Sequence, residues 1–221
     1  MKPLTECQLY TFVDFSYLRA RSAVEIARQL CDGGSDLIQL RAKGISPSEI
    51  LCLAETLLPI TERAGVGLVI NDHLEAALTA GAPLCHLGQE DFFDSGKNHV
   101  SQLVPPNSGL KIGLSSHAPA QARRAVDAGA DYIAVGPVFR TGTKPLAQPV
   151  TLKYVRWAAA NLTVPWFAIG GIDLHNVDEV LRAGAQRICV VSAVLGATDI
   201  VQACQAFKKR LSSVPIESKT E

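Results

Sequence analysis

The sequence predicts an α/β fold, a single (β/α)8 barrel of the TIM type, on three observations. Short apolar runs alternate with amphipathic stretches along the whole chain. The runs are rich in Val, Ile and Leu, as parallel strands buried on both faces must be. Finally, 221 residues divide into eight strand–helix units of about 28 residues, the size of a compact barrel. A doubly wound open sheet is the rival, but eight strands with no long insertion favour closure.

The first strand is read at 8–14 (QLYTFVD) and is followed by a helix over 22–31 that starts from Ser22. The second strand, 36–42 (DLIQLRA), leads to a helix over 47–63 opened by Pro47, the favoured first helical position for proline. GLVIND (67–72) precedes a helix over 73–80, and LCHLGQE (84–90) precedes the weakest unit, in which 92–110 reads as a loop with at most a short helix. KIGLSSH (111–117) is followed by a helix over 119–128 starting at Pro119, and DYIAVGP (131–137) by a helix over 151–160. VPWFAIGG (164–171) and RICVVSAV (187–194) close the series, with helices over 175–183 and 199–211. Three Ala-Gly-Ala triplets, centred on Gly81, Gly129 and Gly184, each sit between a helix and a strand, as Gly33-Gly34 does earlier. Glycine there supplies the left-handed cap an αβ loop needs. One barrel domain over 1–211 and a flexible polar tail over 212–221 complete the division.

An apolar fraction of 48% supports a sizeable core and excludes disorder. Lys and Arg total 21 against 21 Asp and Glu. Such a balance provides no field to gather nucleic acid or an anionic membrane. The six cysteines are scattered with no CxxC or metal-like spacing, which suits a reducing cytoplasm. The amino-terminal stretch lacks a signal-peptide pattern, and no apolar run approaches the roughly 20 residues of a membrane span. A cytoplasmic protein is expected; a homo-oligomer is left open.

Barrel chemistry sits at the C-terminal strand ends. Gln39, Arg41 and Lys43 are spaced by two and should leave strand two on one side, with Leu40 and Ala42 on the other. Strand three ends Asn71-Asp72, the fourth run ends Gln89-Glu90-Asp91, and strand five ends Ser115-Ser116-His117. After strand six come Thr141-Gly142-Thr143-Lys144; strand seven ends Gly170-Gly171, and the eighth run carries Val191-Ser192. Arg41, Lys43 and Lys144 beside Asp72 and Asp91 suit a polyphosphate with Mg²⁺, which takes one or two carboxylates and completes its shell with water and phosphate oxygens. The loops after strands seven and eight suit a second, metal-free phosphate on backbone amides.

The strings QLRAKG, VIND, HLGQED, GLSSH, DYIAVGPVFRTGTK, AIGGI and VVSA, in this order, resemble thiamine phosphate synthase over residues 8–211. The resemblance implies a transferase that joins hydroxymethylpyrimidine diphosphate to thiazole phosphate and releases diphosphate, with small phosphorylated molecules as its partners. It implies that Gln39, Arg41, Lys43 and Asn71 hold the pyrimidine diphosphate, that Asp72 and Asp91 ligate Mg²⁺, and that Ser115 and Lys144 contact the diphosphate. It further implies a thiazole phosphate site at Thr141, Thr143, Gly170, Gly171, Val191 and Ser192. On this resemblance Arg41, Lys43, Ser115 and Lys144 are expected to carry the catalytic electrostatics. Ala42 stands where the family block usually has Glu; by alternation it points away from the site. The neighbouring thiazole tautomerases, resembling TenI, and a non-catalytic regulatory barrel are the alternatives. Such tautomerases would use His117 as acid and base, yet they lose the Asn-Asp and Gln-Glu-Asp blocks that are intact here.

Plainer roles compete for several residues. Asp72 could cap the helix near His73. Arg41 and Lys43 could pair with Glu49 or Glu90 in solvent, and Gly170-Gly171 could be only a tight turn. His86, inside an apolar run, reads as a hydrogen-bonded core histidine; His73, His99 and His175 read as surface or turn residues. Glu90 reads as solvated or supporting, and Trp157 and Trp166 as packing.

Overall fold

Eight parallel strands close on themselves in sequence order, β1-β2-β3-β4-β5-β6-β7-β8, with β8 returning to β1 through Tyr10 opposite Cys189. The structure, a computed structural model, describes residues 1–142 and 147–213. The strands are β1 Leu9–Asp14, β2 Leu37–Arg41, β3 Gly67–Asn71, β4 Leu84–Leu87, β5 Lys111–Ser116, β6 Tyr132–Val135, β7 Trp166–Ile169 and β8 Ile188–Cys189. Around them run α1 Ala23–Asp32, α2 Pro47–Arg63, α3 Leu74–Ala80, α4 Gln89–Phe93, α5 Pro119–Asp127, α6 Thr151–Asn161, α7 Val177–Arg182, α8 Ser192–Leu195 and α9 Ile200–Leu211.

Local chemistry explains the firmest boundaries. Ser46 accepts from the Glu49 amide while Glu49 reaches back to the Ser46 amide, and Pro47 fills the first position of α2. Pro119 opens α5 in the same way. Ser22 does precede α1, but its side chain makes no capping bond. The three Ala-Gly-Ala glycines all have positive φ, between 69° and 100°. Only residues without a Cβ take that conformation without strain.

Two runs end sooner than their apolar patterns suggest. The fourth strand stops at Leu87, and Gln89, Glu90 and Asp91 form the first turn of α4, where acidic side chains oppose the helix dipole. The eighth strand is only Ile188–Cys189; Val191 leaves the strand conformation and Ser192 starts α8. The loop expected over 92–110 keeps α4 to Phe93 and one 3-10 turn, Val100–Gln102.

Side chains divide by strand parity into two cores. Ile38, Leu40, Ile70 and Ile133 face outward against Ile26, Leu30, Ile50 and Leu57 of the helices. Tyr10, Phe12, Leu37, Val69, Leu84, Tyr132 and Phe167 fill the barrel, a small aromatic interior. Tyr10 stacks on Phe12 at 5.2 Å and meets Phe167 edge-on at 5.4 Å. Leu4 and Cys7, on and after a 3-10 turn at Leu4–Glu6, plug the bottom. Asp36 fastens this plug: its carboxylate accepts from the Gln8 and Leu9 amides and from the ammonium groups of Lys2 and Lys208 at 2.6–3.1 Å. Trp166 is buried, and Trp157 stacks on Tyr154 with Arg123 over its ring. All six cysteines are free. No described helix is long and apolar enough to cross a membrane. Beyond Ser213, the expected tail lies outside the described residues.

Candidate active site

The C-terminal mouth of the barrel contains a cavity of about 110 Å³. Gln39, Arg41, Asn71, Ser115, Thr141, Gly170, Gly171, Val191 and Ser192 all line it. Side chains from strands far apart in sequence thus converge where barrel chemistry is carried. Thr143 and Lys144 lie outside the described residues.

Strand two behaves as alternation requires up to its end. Gln39 and Arg41 follow Leu37 into the interior and are 3% and 8% exposed, whereas Leu40 and Ala42 join the outer core. Lys43 departs from the expectation: β2 ends at Arg41, the chain turns at Gly44 with φ 80°, and Lys43 is exposed and does not line the cavity. Its charge still reaches Asp72, where it only partly opposes the burial and the Asp91 charge that raise that carboxyl.

The two expected metal ligands do not line this cavity and are exposed; Asp72 follows Asn71, which does line it, but itself lines a separate groove with Pro47, Ser48 and Leu74. Partial desolvation, followed by the like charge of Asp91, raises the Asp72 carboxyl above its ordinary range. Asp72 has φ 63°, a left-handed conformation that Asp tolerates better than most residues. Its carboxylate accepts from the Asn71 amide at 2.6 Å, and α3 is preceded by His73 without a side-chain cap, so Asp72 is not the helix cap. Asp91 is held by its helix: the Gln89 side chain donates to the Ser115 carbonyl at 2.7 Å, pinning α4 to β5. A Cβ at position 88 would sit 2.5 Å from an Asp91 carboxylate oxygen, so glycine there leaves the carboxylate its room. No group of three or more His, Cys, Asp or Glu forms a metal cage among the described residues. Two mutually repelling carboxylates are nonetheless the donor set Mg²⁺ needs from a protein when phosphate oxygens supply the rest.

Beneath the mouth a hydrogen-bond chain crosses the interior. Gln39 Nε2 donates to the Tyr10 hydroxyl at 2.6 Å, and that hydroxyl meets Tyr132 at 3.2 Å. Tyr132 meets His86 Nδ1 at 3.2 Å, and His86 Nε2 meets Ser115 Oγ at 3.0 Å. Because Gln39 already donates to Tyr10, a chain running Tyr10 to Tyr132 to His86 Nδ1 gives the buried Tyr10 proton an acceptor and leaves the unpaired proton on Ser115, which lines the cavity. His86 then carries its proton on Nε2 and gives it to Ser115, whose own hydroxyl proton faces the cavity. His86 is therefore the buried, hydrogen-bonded histidine expected, but it also lines the cavity. Tyr10 and Tyr132 were not legible as site residues. Gly113 makes the chain possible, since a Cβ there would overlap the Tyr132 ring.

The opposite wall is built from backbone. Val138 and Phe139 amides donate to the Ile169 and Gly170 carbonyls, and Asn176 donates to the Gly171 carbonyl at 2.8 Å. Gly170 and Gly171 have φ 105° and 64°, and a Cβ on either would overlap Pro137 or the Arg140 carbonyl. The pair is more than a turn: it lets the loops after β6 and β7 touch. His117 also lines the cavity, with Nδ1 bonded to the Gly136 carbonyl, so Nδ1 is the donor and Nε2 is left to accept in the neutral ring.

The alternatives involving Glu49 and Glu90 do not occur. Glu49 caps α2, and Glu90 is exposed. Arg41 instead donates to Asp14 at 2.7 Å, a partner absent from the sequence reading. Its one available signal is parity: Asp14 follows Tyr10 and Phe12 on the inward side of β1.

A family model described as "Thiamine monophosphate synthase" matches residues 9–194. Thiamine-phosphate synthase of Thermus thermophilus is 45% identical over 184 residues, covering 82% of this chain and 85% of that protein. The enzyme of the same name from Halalkalibacterium halodurans is 37% identical over 216 residues, covering 97% and 100%. Among solved structures, thiamine phosphate pyrophosphorylase from Pyrococcus furiosus superposes with a TM-score of 0.84 at 30% identity, over 96% of this chain and 98% of that one.

Proposed function

We infer that this chain, which belongs to the thiamine monophosphate synthase family, is a transferase that joins hydroxymethylpyrimidine diphosphate to thiazole phosphate, giving thiamine phosphate and diphosphate. The observation that supports the residue assignment is the convergence of Gln39, Arg41, Asn71 and Ser115 on one cavity, with Asp72 next to Asn71 in the chain and within electrostatic reach of Asp91.

Arg41, Lys43 and Lys144 hold the diphosphate, Arg41 as a fork and the lysines as point charges. Gln39 and Asn71 orient the same substrate. Asp72 and Asp91 would hold Mg²⁺, whose charge offsets that of the diphosphate oxygens when it is bound. Ser115, held by His86, donates a hydrogen bond to the departing diphosphate and keeps its proton. The bond from the pyrimidine methylene to the diphosphate oxygen breaks with its electron pair on the oxygen. The thiazole nitrogen then gives its lone pair to the resulting cation. Thr141 and Thr143, with the amides around Gly170, Gly171, Val191 and Ser192, fix the thiazole phosphate in reach. Catalysis on this reading is positioning and electrostatics, with no covalent nucleophile. The whole of 1–211 acts as one catalytic domain. Six free thiols and zero net charge support a cytoplasmic enzyme of small anionic substrates with no nucleic-acid partner.

His117, lining the cavity with Nε2 able to accept a proton, favours a second reading as a thiazole tautomerase. Incubation with both substrates separates the two. The synthase reading expects thiamine phosphate and diphosphate in equal amounts and little loss on His117→Ala. Conversion of the thiazole substrate alone, abolished by His117→Ala, would replace it.

A further inference from the structure

We propose that Asp14 is a positioning residue of the transfer reaction, fixing the Arg41 guanidinium so that its remaining donors face the diphosphate. The proposal rests on the assignment of Arg41 to the diphosphate.

Asp14 and Arg41 are the last residues of neighbouring strands and stand opposite one another in the β1–β2 register. Strand parity sends both side chains inward, at the level where the aromatic interior gives way to the cavity. Asp14 is 0% exposed, and neither of its carboxylate oxygens is idle. Oδ2 accepts from Arg41 Nη1 at 2.7 Å, while Oδ1 accepts from the Ser16 amide at 2.9 Å. The second bond stops the carboxylate from rotating, so Arg41 is tied to a fixed point and not to a mobile counter-ion.

A guanidinium has five N–H donors in a rigid plane. With Nη1 held by Asp14, the motion of the guanidinium is restricted and Nη2 and Nε are the nitrogens left to bind; Arg41 lines the cavity whereas Asp14 does not. Asp14 therefore acts through Arg41. Stability alone gives little reason for the pair, because buried ion pairs are often matched or bettered by apolar residues of the same volume. A planar fork held in advance does favour an anion that presents two oxygens side by side, such as a phosphate. The competing explanation is structural: Asp14 also precedes and caps the 3-10 turn Phe15–Tyr17.

Asp14→Asn keeps the volume and one acceptor while removing the charge. Steady-state kinetics should show kcat/KM for the pyrimidine diphosphate lower by about 10- to 100-fold, the scale of a misplaced positioning group. KM for thiazole phosphate should stay within about twofold, because its wall is built from other strands. Binding of inorganic diphosphate with Mg²⁺, followed by calorimetry, should weaken in parallel. Arg41→Lys should weaken it too, and Asp14→Asn added to Arg41→Lys should bring no further loss, since residues acting as one unit are not additive. Independent, additive losses would overturn the proposal, as would equal losses for both substrates alongside a lowered Tm. Unchanged diphosphate binding in Arg41→Ala would instead strike the assignment of Arg41 and overturn both together. If Asp14→Asn does not fold, Asp14→Ser retains an acceptor for Ser16 and carries the same expectations.

Discussion

Removing one hydroxyl from the barrel interior should reach both stability and turnover. Tyr132→Phe keeps the ring that packs against Tyr10 and Phe167 but deletes the oxygen linking Tyr10 to His86. Tyr132 is 0% exposed and Tyr10 1%, but Tyr10 and His86 both line the cavity, so water there offsets part of the loss. The Tyr10 hydroxyl and His86 Nδ1 each lose their bond to Tyr132, at about 1–3 kcal/mol apiece. Relief from burying the hydroxyl itself offsets part of this, giving a net loss of about 2–4 kcal/mol. For a chain of this size that is a fall in Tm of about 5–15 °C. At the far end of the chain, His86 loses its Tyr132 contact and holds Ser115 less firmly, so kcat should fall about 10-fold. Thermal unfolding and initial rates on the same preparation read both effects. Gly113→Ala, which drives a methyl into the Tyr132 ring, should move both quantities in the same direction and further. A Tyr132→Phe protein with unchanged Tm and unchanged kcat would refute the chain as a functional element.

At the thiazole phosphate wall, Gly171→Ala places a Cβ against the Arg140 carbonyl at φ 64°. It should raise KM for thiazole phosphate about 10-fold with a smaller effect on the pyrimidine substrate, measured by varying each in turn. At the bottom of the barrel, burial alone would raise the Asp36 carboxyl, but Lys2, the Leu9 and Gln8 amides and Lys208 outweigh it and hold it below its ordinary 3.8. A depressed carboxyl contributes stability above its unfolded pKa and loses it as pH falls through the folded value. Asp36→Asn should therefore cost about 3 kcal/mol at neutral pH. In denaturant titrations that deficit should shrink below about pH 4. A deficit independent of pH would assign the effect to packing.

What the sequence made legible follows what is local. The bounds of α2 coincide with the expected 47–63 because Ser46, Pro47 and Glu49 settle its start within four residues. The interior placement of Gln39 and Arg41 follows from a two-residue period and needs no partner. That period fails at Lys43 because alternation holds only while the chain stays extended, and β2 has ended. The runs at 84–90 and 187–194 hid short helices, since four or five residues are too few for a 3.6-residue period to separate from an apolar strand. Asp14 was beyond reach for a different reason. Its partner is set by the register of two strands 27 residues apart, and many carboxylates in the chain carry the same charge. His86 was read correctly as hydrogen-bonded, but its place in the cavity depends on Tyr132 and Ser115, which only barrel closure brings to it.

On the proposed function, Asp72 and Asp91 serve a metal-assisted transfer of the substrate held in the cavity. Initial rates of thiamine phosphate formation should be measured after EDTA treatment and during Mg²⁺ add-back, in the unaltered protein and in Asp72→Ala. The account predicts that EDTA abolishes product and that Mg²⁺ restores it in the unaltered protein. Asp72→Ala should stay lower by about 100-fold or more at saturating Mg²⁺. Full turnover in EDTA, or an Asp72→Ala protein as active as its parent, would contradict it.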